Sequence, residues 1–237
     1  MTAPGRQRRG RAARGFAIGL AAALLCCAVG VARADSDPIS PAETLLFMTS
    51  HLKQLPTPNR LHYAFLKSGT LEKGFADTID IDVTGAADGS KKGVARFFSG
   101  TRKIEYPEVE HAEGNPVLLF YLEREIHEMA RLTGGQANYF RKRIRLALAQ
   151  TARIKPIDIS FGGQTIGAQQ ITISPYADDP NRSKFERLAA KQYVFTLSDK
   201  IPGSVYQVRG LVPPAGEAAK DPVIDETLTL QSAGLPN

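Results

Sequence analysis

His127-Glu128-Met129-Ala130-Arg131 comes within one residue of the metalloprotease helix, in which two histidines one turn apart hold zinc and the Glu acts as base. Arg131 stands where the second ligand belongs, so these residues cannot close that site. Glu123, four residues before His127, offers instead a Glu–His pair on one helix face. Ser50-His51-Leu52-Lys53 copies the serine–lysine spacing of penicillin-binding enzymes, and Lys67-Ser68-Gly69 imitates their third motif. That chemistry needs the serine at the start of a helix, whereas this motif closes one, and Lys67 follows too soon for an intervening domain. Asp80 and Asp82 share one face of a strand about 7 Å apart, with Asp77 nearby. Such a pair could flank a glycosidic bond or hold a cation, or simply form the wet face of a half-buried strand. Asp178-Asp179-Pro180-Asn181 has the residue types of a cation loop and equally of an ordinary turn.

The densest charge feature is Arg141-Lys142-Arg143-Ile144-Arg145, beside Tyr139 and Phe140. Tyr139, Arg141, Lys142 and Arg145 are the candidate contacts for an anionic headgroup or membrane surface. Glu123, Glu125 and Glu128 on the preceding helix can neutralise part of that face, and exposed pairs of this kind add little stability. Tyr121, Tyr193 and Phe195, with Tyr139 and Phe140, recur at element periodicity, which places aromatic residues in a core.

Composition narrows the chemistry further. The chain has 237 residues and a formal charge of +6, but residues 1–34 carry six arginines and no acid. The remainder holds 24 basic and 24 acidic residues, and both cysteines, Cys26 and Cys27, fall in the leader. The folding part therefore has no thiol nucleophile, disulfide or Cys-ligated metal, and is no globally basic nucleic-acid binder. Met1–Gly15 is Arg-rich, Phe16–Ala32 is apolar, and Ala32-Arg33-Ala34 is small-x-small. That order reads as a secretory signal peptide cut after Ala34 and implies a Gram-negative periplasm; an uncleaved inner-membrane anchor is the rival.

The elements that must position these residues follow from periodicity. Ser40-Pro41-Ala42-Glu43 is a capping box that opens a helix over about 41–54. From Arg60 the period becomes two, through Leu61, Tyr63 and Phe65, then Ile79, Ile81 and Val83, then Val94–Phe98 and Arg102–Tyr106. Asn115-Pro116 opens a helical hairpin over about 116–150, broken at Thr133-Gly134-Gly135. Strands return after Lys155 and end with one near Ile224–Leu230. About nine antiparallel strands, one leading helix and one inserted helix pair predict an α+β fold: a curved half-barrel sheet wrapped on helices, a single domain over 35–237.

This element order over residues 40–232 resembles the periplasmic half-barrel proteins of the lipoprotein-carrier (Lol) type and their uncharacterised exported relatives. The resemblance implies an antiparallel sheet enclosing an apolar concavity that helices plug. The expectation is a non-catalytic exported protein that binds a lipid or other apolar ligand there, without cofactor, metal or nucleic acid. An envelope assembly factor docking through the helical hairpin is the alternative. A hydrolase using Asp80 and Asp82, with His127, is the third reading.

Overall fold

A computed structural model describes residues 38–216 and 218–236; the leader and its cleavage site lie outside them. Nine strands form one antiparallel sheet: β1 Asn59–Ser68, β2 Phe75–Gly85, β3 Lys91–Phe97, β4 Ile104–Glu105, β5 Arg153–Phe161, β6 Gln164–Ile173, β7 Gln192–Leu197, β8 Val205–Val212 and β9 Ile224–Gly234. Their order is β4-β3-β2-β1-β9-β8-β7-β6-β5. The sheet is therefore two consecutive meanders joined at its middle by β1 and β9, which pair from Ser68↔Asp225 to Arg60↔Gly234.

Alternation decides which face is covered. Leu61, Tyr63 and Phe65 of β1, Ile79, Ile81 and Val83 of β2, Tyr193 and Phe195 of β7, and Leu228 and Leu230 of β9 are all buried. Successive side chains point to opposite faces, so these residues line one side, the concave side of a half-barrel. Two helices fill it. In α2, Pro116–Thr133, Asn115 accepts the Val117 N–H at 3.1 Å and Pro116 occupies the first turn. Val117, Leu118, Tyr121, Leu122, Ile126 and Met129 form its buried face. Gly134 closes it in the left-handed conformation (φ 71°), which glycine adopts without a Cβ penalty. The chain then turns into α3, Ala137–Gln150, which buries Phe140, Ile144, Ala147 and Leu148.

The first helix is shorter than its sequence suggests. The capping box forms, with the Glu43 N–H donating to Ser40 Oγ at 3.1 Å and the Ser40 N–H to Glu43 Oε2 at 2.9 Å. But α1 covers only Pro41–Glu43 and passes into a π-helical turn, Thr44–Met48, after which Thr49 is extended. Side chains stop it: Thr49 Oγ1 donates to the Thr44 carbonyl at 3.0 Å, and the His51 ring takes the Leu45 carbonyl at 2.8 Å. Leu52 is buried as its spacing requires, from a turn instead of a helix. The expected strand over 102–106 likewise contracts to Ile104–Glu105, because a 3-10 turn, Gly100–Arg102, takes its start.

The two sheet edges differ. Beside β3, Gly93 and Val109 exchange backbone hydrogen bonds of 3.0 and 2.8 Å, so a loop covers that edge. At the other end β6 pairs with β7 only over Gln169–Ile173. Gln164–Ala168 and the matching half of β5 thus overhang the sheet as a two-stranded arm.

Candidate functional site

The overhang leaves room where the plugging helices do not reach. A cavity of about 570 Å³ lies between this arm and the N-terminal turn. Leu45, Pro156 and Leu197 give it apolar walls, while Ile157 and Ala168, paired across the arm, alternate to its other face; Thr49, Asp158, Gln169, Ser198 and Asp199 supply polar positions. A second lobe of about 380 Å³ shares Thr49, His51, Asp199 and Ser204 with the first and adds Lys53, Lys200 and Ile201. The size and the apolar majority with a few polar groups are those of small-molecule clefts. Gly167, on the wall, has nothing within 4 Å of where a Cβ would stand.

His51 divides the lobes, and its environment fixes its chemistry. Nε2 donates to the Leu45 carbonyl at 2.8 Å while Nδ1 accepts the Asn115 N–H at 3.2 Å. Both nitrogens are committed to backbone, which sets the neutral Nε2–H tautomer. Burial lowers its pKa, more than the Leu45 hydrogen bond raises it. A ring so held is a structural bracket and has no lone pair free for a substrate proton.

Each motif that could have carried catalysis is engaged elsewhere. Asp82 accepts from Arg60 Nε and Nη2 at 2.6 and 3.0 Å and from Arg96 Nη2. Partial burial raises its pKa, but these two guanidiniums outweigh that and hold the carboxyl below its ordinary range. Asp80 lies 2.7 Å from His62 Nδ1, and Asp77 faces Arg102 at 3.2 Å. A general acid needs a raised pKa, so Asp82 is the wrong kind of carboxylate for that role. His127 pairs with Glu123 at 3.1 Å, and Ser50 donates to Glu113 at 3.1 Å. Asp179 accepts from Tyr139 Oη and from the Asn181 N–H at 2.8 Å and forms an ion pair with Arg143 Nε at 3.0 Å, so it anchors a turn. Among the described residues no group of three His, Cys, Asp or Glu side chains is disposed to hold a metal ion.

The basic segment separates into two sets. Tyr139 is tied to Asp179 and Asn181, and Arg141 Nη2 meets Glu123 across the hairpin at 2.6 Å. Lys142 and Arg145 stand exposed on the outer face of α3, with no ion pair among the described residues. Glu125 and Glu128 do not turn toward α3 at all.

Those two acids belong to a feature the residue pattern did not announce: a ladder of charges running under the sheet. Arg131 binds Glu72 and Glu128 at 2.7 and 2.8 Å; Lys67 binds Glu72, Glu128 and Glu226 at 2.9–3.1 Å; Arg124 binds Glu226 at 2.9 Å and Glu125 at 2.5 Å; Lys191 lies 2.5 Å from Glu125. It ends at Lys191, Glu125 and Glu226, all fully buried. The Lys191 Nζ and Glu125 Oε2 atoms touch but are poorly angled, and neither makes a directed hydrogen bond. Burial and the neighbouring Glu226 push Glu125 up to about 7, while Glu226, burial notwithstanding, is held far down by Arg124 and Lys191. Glu128 is lowered to about 2, because Arg131 and Lys67 outweigh its burial.

No protein-family model and no curated protein matches the chain. Among solved structures, the lipoprotein LppX of Mycobacterium tuberculosis is similar at 10% identity over 75% of this chain and 87% of its own, with a TM-score of 0.33. The MucA/MucB complex of Pseudomonas aeruginosa gives 16%, 83%, 56% and 0.35. A LolA superfamily protein from Nitrosomonas europaea gives 9%, 83%, 94% and 0.22.

Proposed function

We propose that the chain is an exported, non-catalytic binding protein of the cell envelope that shelters an apolar chain, such as a lipid acyl group, in the cleft beneath the β5–β6 overhang. The observation that carries this reading is the cavity of about 570 Å³ beneath the overhang, with Leu45, Pro156 and Leu197 as its apolar walls. The rest of the concave face is filled by α2 and α3, so the ligand seat is one end of the half-barrel and not its centre. Export through the leader, with cleavage after Ala34 and a periplasmic location, belongs to the same proposal. The carboxylate pair Asp80 and Asp82, His127 and Ser50 are each already paired within the fold, which favours binding over turnover.

The test uses residues 35–237, since the compact unit Pro38–Asn237 contains every described core residue. Native mass spectrometry of that protein, purified from periplasm without detergent, should show a discrete lipid-mass adduct. Gly167→Trp adds a side chain where a Cβ meets nothing; it should abolish the adduct and lower affinity for dansyl-labelled undecanoic acid at least tenfold, with Tm within about 2 °C of wild type. A clean apo mass with no probe binding would instead favour an assembly role for the α2–α3 hairpin, where exposed Leu119, Lys142 and Arg145 would meet an envelope protein.

A further inference from the structure

The π-helical turn Thr44–Met48 presents three different faces. Leu46 is fully buried in the core, Leu45 and its neighbour Thr49 line the cleft, and Phe47 and Met48 point into solvent. Met48 is 62% exposed and Phe47 40%, and Ile39, just before the cap, is 60% exposed. Single exposed apolar side chains are ordinary. Here they gather on one helical turn and its entry, and π-turns are rare and concentrate at functional positions.

Charge at the same end points the same way. Lys53, five residues beyond Met48, and Lys200, from the β7–β8 turn, both line the second lobe. Neither has an ion-pair partner among the described residues, and both are exposed. Asp199, without a paired cation among the described residues, shares the lobe, and Asp158 lies in the first. Apolar side chains projecting beside unpaired lysines are the pattern of an interfacial membrane contact, with apolar groups in the acyl boundary and ammonium groups at the phosphates. Chain length agrees. Only residues 33–38 separate the apolar run ending at Ala32 from Ile39, a reach of about 25 Å fully extended. Before the proposed cut after Ala34, a chain held in a membrane by that run would meet the bilayer with this end first.

We infer that Phe47 and Met48, with Ile39, Lys53 and Lys200, form a docking face for a phospholipid bilayer. The mouth of the cleft then opens at the lipid surface, and an acyl chain enters without crossing water. The inference relies on the cleft reading for the purpose of docking and not for docking itself.

The experiment measures co-sedimentation of residues 35–237, which lack the apolar run, with phosphatidylcholine–phosphatidylglycerol vesicles. F47S/M48S should lower the vesicle-bound partition at least tenfold, as expected for withdrawing two large apolar side chains from lipid. It should leave affinity for dansyl-labelled undecanoic acid, presented as monomer, within twofold of wild type. K53E/K200E should weaken binding to these anionic vesicles and have less effect on phosphatidylcholine alone. Unchanged partition in F47S/M48S overturns the proposal, as does a loss produced by K142E/R145E in its place. Absence of probe binding in the wild type would count against the cleft only, since the partition measurement stands without it.

Discussion

Glu125 sits fully buried between Lys191 and Arg124 with its pKa raised to about 7. The folded protein therefore holds a proton on this carboxyl that the unfolded chain releases near 4.5. A group of this kind favours the folded state below the unfolded pKa, and that contribution is lost as pH rises toward 7. His51 acts in the opposite sense: its lowered pKa means stability falls as pH drops below about 6.5. Glu128, lowered to about 2, contributes above 4.5 and loses its contribution only in stronger acid. Between pH 5 and 8 the difference between wild type and E125Q therefore isolates Glu125. E125Q, a permanent neutral mimic, should gain Tm relative to wild type as pH rises across that window. Parallel Tm curves from calorimetry would show that Glu125 is ionised throughout. The ladder was present in the sequence as broken periodicity: Lys67 continues Leu61, Tyr63 and Phe65; Glu226 lies between Ile224 and Leu228; Glu125 shares the α2 stripe with Tyr121, Leu122 and Ile126. Such exceptions mark buried ionic groups, but the partners come from three elements, β1, α2 and β9, and two loops, so pairing could not be read from spacing. Asp82 was legible only as half a carboxylate pair, because Arg60 and Arg96 come from neighbouring strands.

The hairpin of α2 and α3 is the element whose sequence was most explicit. Asn115-Pro116 starts it, Gly134 turns it, and both apolar stripes bury as periodicity requires except at Leu119, which is exposed. The second glycine of the turn has a different reason. A Cβ on Gly135 would stand 2.8 and 2.9 Å from two ring carbons of Phe140, a fully buried side chain in contact with Tyr176 and Phe185. Gly135→Ala should thus lower stability by about 1–3 kcal/mol, the usual range for overpacking, measured by urea denaturation at pH 7. An unchanged midpoint would mean that Phe140 can withdraw without cost. The N-terminal helix was less legible. Its cap is written in Ser40 and Glu43, but its end is made by Thr49 and His51 taking carbonyls, a competition that helical spacing does not encode. The cleft was not legible either, since it depends on β6 outrunning β7, and strand register is set across the sheet.

At the scale of the molecule, the half-barrel outline followed from element order, because short turns between alternating runs leave few arrangements of an antiparallel sheet. The seam did not: nothing local says that β1 and β9 pair. They join the meander β1–β4 to the meander β5–β8, and β9 supplies Ile224, Leu228 and Leu230 to the core along with Glu226 to the ladder. A chain ending at Pro222 should accordingly lose its cooperative thermal transition and become sensitive to protease throughout. A sharp transition in that truncated chain would mean that each meander is stable by itself.

The position of that seam also governs timing. A ribosome emits β1 first and β9 last, so the pairing that unites the sheet must wait for almost the whole polypeptide to be synthesised. Until then the strands of the first meander have one flank without a neighbour, and the ionic groups meant to meet Glu226 have no partner in place. A nascent chain of this topology cannot lock prematurely. Under the export proposed for this chain, that delay would keep it extended and threadable until it has crossed the membrane, and make folding an event of the far side.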